Sequence, residues 1–158
     1  MVIFMKKTNK GLTIDKVKEI SNLKNEPDWM LDFRIKSFNK FEELSNPIFG
    51  PELRIDFDSI NYFKRVSDTI ANNWDDVDKD IKETFDKIGL PEAEKKYLDG
   101  THAQYESEVI YSNMIKEVVD KNIIFCDTDT ALKKYPELFK EYFNNLVKYG
   151  ENKYTALN

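Results

Sequence analysis

The chain has 158 residues, a net charge of −5, 41% hydrophobic residues and 34% charged residues. That is the size of one ordinary domain with enough apolar material for a core. Mixed charge of net negative sign disfavours broad phosphate binding, so nucleic acid is not an expected partner. No apolar run approaches the roughly 20 residues that span a bilayer, so no membrane partner is expected, and a single cysteine excludes an internal disulfide framework. The expected compartment is the cytoplasm.

Residues 1–12 read as a flexible start, because the run Met1–Met5 is too short for a signal peptide and its lysines follow it. Thr13 is a helix cap, with Ile14, Val17 and Ile20 on one face. Asn22 to Asn25 end that helix. Asn25-Glu26-Pro27-Asp28 reads as the next start, an Asn cap with an acid three residues on. The helix then runs to about Leu44. Trp29, Met30, Phe33, Phe41 and Leu44 fall on one face, and Leu31, Ile35 and Phe38 on the other. A helix apolar on two sides needs two partners, and one of them is allowed to lie outside the chain.

Pro47, Gly50 and Pro51 make 45–54 a loop. Ile55–Ile60 alternates weakly as a short extended piece, and polar residues 64–73 read as a mobile linker. Asn73 opens a helix whose stripe is Val77, Ile81, Phe85 and Ile88, with Gly89 as its left-handed stop. Pro91 restarts a helix carrying Ala93, Tyr97 and Leu98. From Thr101 to Tyr111 the period becomes two, which predicts a half-buried strand or extended segment. Met114, Ile115, Val118 and Val119 predict a short helix closed by Asn122. Ile123-Ile124-Phe125-Cys126 predicts a buried strand. Asp127 to Thr130 offers caps for a stripe of Ala131, Leu132, Tyr135, Leu138, Phe139, Tyr142, Phe143 and Leu146. Pro136 divides that stripe into two helices.

Chemistry-bearing residues are sparse. His102 is the only histidine and falls on the polar side of the alternation. Cys126 follows three apolar residues, as a small buried hydrophobe would. The neighbouring Asp127 and Asp129 disfavour a thiolate there, while a following helix N-terminus favours one. Glu106 and Glu108 share a face if 101–111 is one strand, which suits acid–base work but equally suits a solvated face. A small hydrolase using that pair is the weakest functional reading. Asp127-Thr128-Asp129 lacks the glycine and the twelfth-position glutamate of a calcium loop. Asp75, Asp76, Asp78 and Asp80 fit helix-start electrostatics. No catalytic, cofactor-binding or metal residue is assigned.

Four separated stretches carry a family resemblance. They are Asn25-Glu26-Pro27-Asp28-Trp29-Met30 with Phe33-Arg34, Asp80 through Glu94, Ala103-Gln104-Tyr105-Glu106-Ser107-Glu108, and Phe125-Cys126-Asp127-Thr128-Asp129-Thr130-Ala131-Leu132. In order and spacing, over about residues 17–158, they resemble the start of SufB, the scaffold subunit of the SUF iron–sulfur cluster assembly system. The resemblance implies an α+β, mainly α, helical N-terminal domain over 13–149 with a few short strands. It implies that 150–158 begins the connection to a parallel β-helix that this chain does not contain. It also implies partners met through the full-length protein, a SufC-like ATPase and a SufD-like subunit. The iron–sulfur cluster belongs to that full-length protein, and the residues that build it have no counterpart here. On this reading the chain is not an enzyme by itself and holds no cofactor. The family usually has glycine where His102 stands, so a strained backbone is expected there if that glycine has positive φ. The alternative is a free-standing helical module that binds a protein through its aromatic helices.

Overall fold

The computed structural model describes residues 6–51, 53–67, 69–89, 100–114 and 120–157. Five helices and two two-stranded antiparallel sheets lie among them: α1 (Ile14–Lys24), α2 (Asp28–Glu43), α3 (Lys79–Lys87), α4 (Thr128–Lys134) and α5 (Pro136–Tyr142), with β1 (Lys6–Lys7) on β2 (Lys64–Arg65) and β3 (Gly100–Tyr105) on β4 (Glu108–Met114). The fold is α+β and mainly α. It divides into two compact units, one of residues 1–7 and 63–127, the other of residues 8–62 and 128–158. The helix expected from Pro91 and most of the one expected around Ile115–Val119 lie outside the described residues. Met114 ends β4 instead of opening a helix.

The first unit is built on the β3–β4 hairpin. Sequence periodicity predicts one strand or extended segment from Thr101 to Tyr111, but the chain reverses at Glu106-Ser107, where Glu106 takes φ 56°. Such two-residue turns favour glycine or asparagine, and neither is present to announce the reversal. The pairing passes from Ala103–Tyr111 to Gln104–Val109, so Ile110 is an extra residue. This bulge breaks the alternation and lets adjacent Ile110 and Tyr111 both be buried. Ala71 adds a one-residue bridge to Tyr111, its N–H donating to the Ile110 carbonyl at 2.9 Å and its carbonyl accepting from the Ser112 N–H at 2.9 Å. The core joins Val66, Trp74, Val77, Ile81, Phe85, Ala103, Ile110 and Tyr111. The Trp74 ring meets Phe85 and Tyr111 edge-on at 5.5 and 5.2 Å, a favoured aromatic geometry.

Local signals place α3. Asn73 caps only the 3₁₀ turn Trp74–Asp76, and Asp78 caps α3, its carboxylate accepting from the Asp80 N–H at 2.9 Å. Gly89, at φ 77°, takes the left-handed position after the helix. Ile88, placed in the apolar stripe by its spacing, is exposed. The polar stretch 64–73 carries β2, the buried Val66 and the bridge at Ala71. Within the first twelve residues, Lys6–Lys7 form β1 and Thr8 is buried.

The second unit is helical. Thr13 caps α1, its hydroxyl accepting from the Lys16 N–H at 3.3 Å. Asn25 does not open α2. It closes α1 at φ 52°, its N–H donating to Asn22 while the Glu26 N–H reaches Ser21, both at 3.1 Å. Those are the two bonds of a Schellman stop. Pro27 is left to start α2 without a side-chain cap. Ile55–Ile60 is not extended, because Asp56 caps a 3₁₀ turn at Phe57–Ser59.

Helix α2 buries Met30, Ser37 and Phe41 and half-buries Trp29, Leu31, Phe33, Ile35 and Phe38. Pro136 opens α5 at its first turn as expected. The predicted stripe is not uniformly core, however. Leu132 is buried, Ala131, Phe139 and Phe143 are half-buried, and Tyr135, Leu138, Tyr142 and Leu146 are exposed. Residues 149–157 belong to this unit. Asn152 accepts from the Tyr154 and Thr155 N–H groups, Lys153 lies 4.5 Å over the Phe41 ring, and Ala156 is buried.

Candidate functional site

The hairpin turn of the first unit separates the two carboxylates that one strand would have paired. Glu106 lies in the turn and Glu108 at the start of β4, and each meets its own cation. Lys64 Nζ donates to Glu106 at 2.6 Å, and Arg65 donates to Glu108 Oε1 through Nε and Nη2 at 3.1 Å each. The hydrogen bond to Glu106 raises the Lys64 ammonium above its ordinary value, against a smaller opposing effect of burial. Ser107 completes the clamp: its hydroxyl accepts from the Lys64 N–H at 2.9 Å and its N–H donates to the Lys64 carbonyl at 3.2 Å. Charge-assisted bonds of this kind hold a turn. Acid–base work would need a carboxylate whose charge is not already committed.

His102 sits in β3, half-buried, with a strand backbone free of the strain that a positive φ would bring. Its ring stacks on Phe125, with centroids 4.1 Å apart and planes 20° apart. Its Nε2 is enclosed and meets no hydrogen-bond partner among the described residues. Two positions back on the same strand face, Gly100 makes room for the same ring, since a Cβ there would lie 3.2 Å from Phe125 Cδ1. The run Ile123–Phe125 is therefore not a buried strand. Among the described residues it pairs with no strand, and all three side chains are exposed, with the Phe125 ring lying over His102. Cys126 is half-buried, short of the full burial expected of a core thiol. Among the described residues no three His, Cys, Asp or Glu side chains gather as a metal site would require.

The second unit holds a cleft of about 500 Å³ between α2, the start of α4 and residues 142–147. Met30, Phe33 and Phe143 line it, and the Phe33 ring meets Phe143 edge-on at 4.9 Å. Tyr142, Leu146 and Val147 line it from the exposed side, Leu146 being 97% exposed. Its charged groups are committed to one another. Lys24 Nζ donates to Asp129 at 2.7 Å, and Arg34 grips Glu26 through Nε and Nη2 at 2.7 and 2.6 Å. The Glu26 side chain is 1% exposed, so Arg34 is the neutralising partner of a buried carboxylate. Thr128, Asn144, Asn145 and Thr155 also line it, so its walls are of mixed polar and aromatic character. The two-sided pattern of α2 and the aromatic stripe pointed toward this surface. Leu146 closes the predicted stripe, whereas Val147 has no sequence signal beyond being apolar.

Sequence comparison adds the functional context. The chain is 52% identical over 153 residues to proteins of Staphylococcus saprophyticus and of Staphylococcus aureus strains USA300 and COL, each named an iron–sulfur cluster assembly SufBD family protein. The alignment takes in 96% of this chain but 33% of each relative, so the chain spans about a third of the length of the curated relatives it matches. No family model matches it, and no solved structure does.

Proposed function

We propose that this chain is a SufB-type domain of an iron–sulfur cluster assembly protein, corresponding to one third of that protein and serving a structural and interaction role. The observation that carries this reading is the 52% identity running over 153 residues without confinement to a short motif. Two structural features support it. The carboxylates and cations that chemistry would need are tied to each other at the hairpin and around Glu26. The second unit presents a cleft of mixed polar and aromatic lining. A domain of this kind holds or positions other protein segments and leaves bond-making elsewhere.

On this reading the full-length protein works in the cytoplasm with a SufC-like ATPase and a SufD-like subunit, and the iron–sulfur cluster is its cargo. This third carries no cluster of its own, and its single cysteine would supply one ligand where a cluster needs about four. Among the described residues no helix is long and apolar enough to cross a membrane.

Anaerobic addition of iron and sulfide to the isolated chain tests the non-catalytic part. The expected result is no stable visible cluster absorbance. A stoichiometric cluster that disappears in Cys126→Ser would overturn it.

A further inference from the structure

We infer that residues 149–157 form a strap that lies on α2 and the Phe57–Ser59 turn and opens apart from the helices, with the Lys153 ammonium as its catch. Nothing in this depends on the family reading, because every contact it uses lies within the second unit.

The strap is tied to itself and not to the helices. The Glu151 N–H donates to the Lys148 carbonyl at 3.1 Å, the Ala156 N–H to the Asn152 carbonyl at 3.2 Å and the Leu157 N–H to the Tyr154 carbonyl at 3.1 Å. Asn152 Oδ1 accepts from the Tyr154 and Thr155 N–H groups at 2.9 and 3.1 Å. The Thr155 hydroxyl accepts from the Asn152 N–H at 3.0 Å and donates to the Asn152 carbonyl at 2.8 Å. Among the described residues, none of the hydrogen bonds of 149–157 reaches α1, α2 or the turn at Phe57–Ser59. Side-chain contact holds the segment down instead. Tyr149 meets Phe33 edge-on at 5.4 Å, Gly150 lies against the Lys40 stem where a Cβ would stand 3.5 Å from Cγ, and Ala156 is buried. A piece bonded internally, with only side-chain contacts to its neighbours, is of the kind that opens below the cost of global unfolding.

Lys153 supplies the catch. Its Nζ stands 4.5 Å from the Phe41 ring centroid and 5.7 Å from that of Phe57, and those two rings meet edge-on at 5.1 Å. Phe41 comes from α2 and Phe57 from the 3₁₀ turn, so one cation ties the strap to two elements at once. Among the described residues the ammonium forms no ion pair or hydrogen bond, so the rings are what its charge meets there. That attraction needs the positive charge and the ring face, whereas the burial of Ala156 and the Tyr149–Phe33 contact need neither. Removing the charge therefore loosens the strap while leaving its apolar contacts in place. Opening frees the face of the buried Phe41 ring that Lys153 covers.

Amide hydrogen exchange of the 158-residue chain, resolved by NMR at Ala156, Leu157 and Val17, tests this. The turns of the strap are too short to persist once lifted, so its amides exchange when it opens. Val17, bonded to the Thr13 carbonyl in α1, reports the rest of the unit. Lys153→Gln is expected to speed exchange at Ala156 and Leu157 about three- to tenfold, the range for loss of a cation–π contact, and to leave Val17 at its original rate. Lys153→Arg keeps a cation over the rings and is expected to stay near the original rate at all three amides. Unchanged exchange at Ala156 and Leu157 in Lys153→Gln would overturn the inference. So would Lys153→Arg exchanging as fast as Lys153→Gln, which would take the charge out of the catch. Val17 accelerating in step with Ala156 would overturn it as well, since the strap would then open only with the whole unit.

Discussion

At the scale of single residues, the Glu26 carboxylate is tightly constrained. It is buried and held by two bonds from Arg34. Removing one partner of a buried pair leaves an uncompensated charge, at a cost of about 3–5 kcal/mol. Arg34 is partly exposed, which lowers the expectation to about 2–3 kcal/mol. Arg34→Met should lower the urea midpoint accordingly, and Glu26→Met combined with Arg34→Met should recover most of the loss. A double variant no better than the single would show that the pair does not act as a unit. Tyr62 gives a pH test. Burial, then the charges of Asp58, Asp56 and Glu42, push its hydroxyl above the ordinary tyrosine value, and that hydroxyl donates to the Phe57 carbonyl at 3.1 Å. A raised folded-state value means that the fold favours the neutral phenol. Its stabilisation is complete below about pH 10, the unfolded value, and is lost as pH rises through the folded one. Tyr62→Phe should therefore weaken the fall in stability above about pH 10, as read by denaturant midpoints across the alkaline range. An unchanged alkaline slope would contradict that assignment.

At the scale of elements, the β3–β4 hairpin and its Phe125 cover form the main test. Gly100 exists in this register because Phe125 lies against it and His102. Gly100→Ala places a methyl 3.2 Å from that ring. The methyl is expected to displace the half-exposed Phe125 ring by a few tenths of an ångström and so to shift the His102 ring resonances in NMR. Unmoved His102 signals would mean that the ring does not rest there in solution. Trp74→Ala, in the core beneath the hairpin, should cost about 3–5 kcal/mol in denaturant unfolding. The elements also show what was legible beforehand. Thr13, Gly89 and Pro136 act where they stand in the sequence, because caps and breakers work through the local backbone. The hairpin was not legible, because its turn uses Glu106 in a left-handed conformation and its bulge at Ile110 hides the change of face. Asn25 stops α1 where its spacing to Asp28 suggests a start, because an asparagine between two helices serves equally for either. Ile123–Cys126 has the composition of a buried strand, but among the described residues no strand pairs with it. Whether an apolar run is buried is decided by tertiary partners, which local composition does not encode.

At the scale of the whole molecule, the sequence resembles an iron–sulfur assembly scaffold, and the relatives at 52% identity carry the broader SufBD name. Composition and motif chemistry alone reached a mainly helical domain with no reaction centre. The cleft was half legible: the aromatic residues of α2 and α5 were apparent, but their division into buried wall and exposed rim depends on how α2, α4 and α5 pack. A domain of this description should matter through what it supports. The most direct measurement replaces the matched third of the Staphylococcus aureus relative with this chain, in cells depleted of that relative, and reads the activity of a cluster-dependent enzyme. The expected result is restored activity with the chimera and none with either portion omitted. Restored activity from the relative with its matched third deleted would contradict the claim that this domain is a working part of the assembly protein, as would a well-expressed, folded chimera that restores nothing.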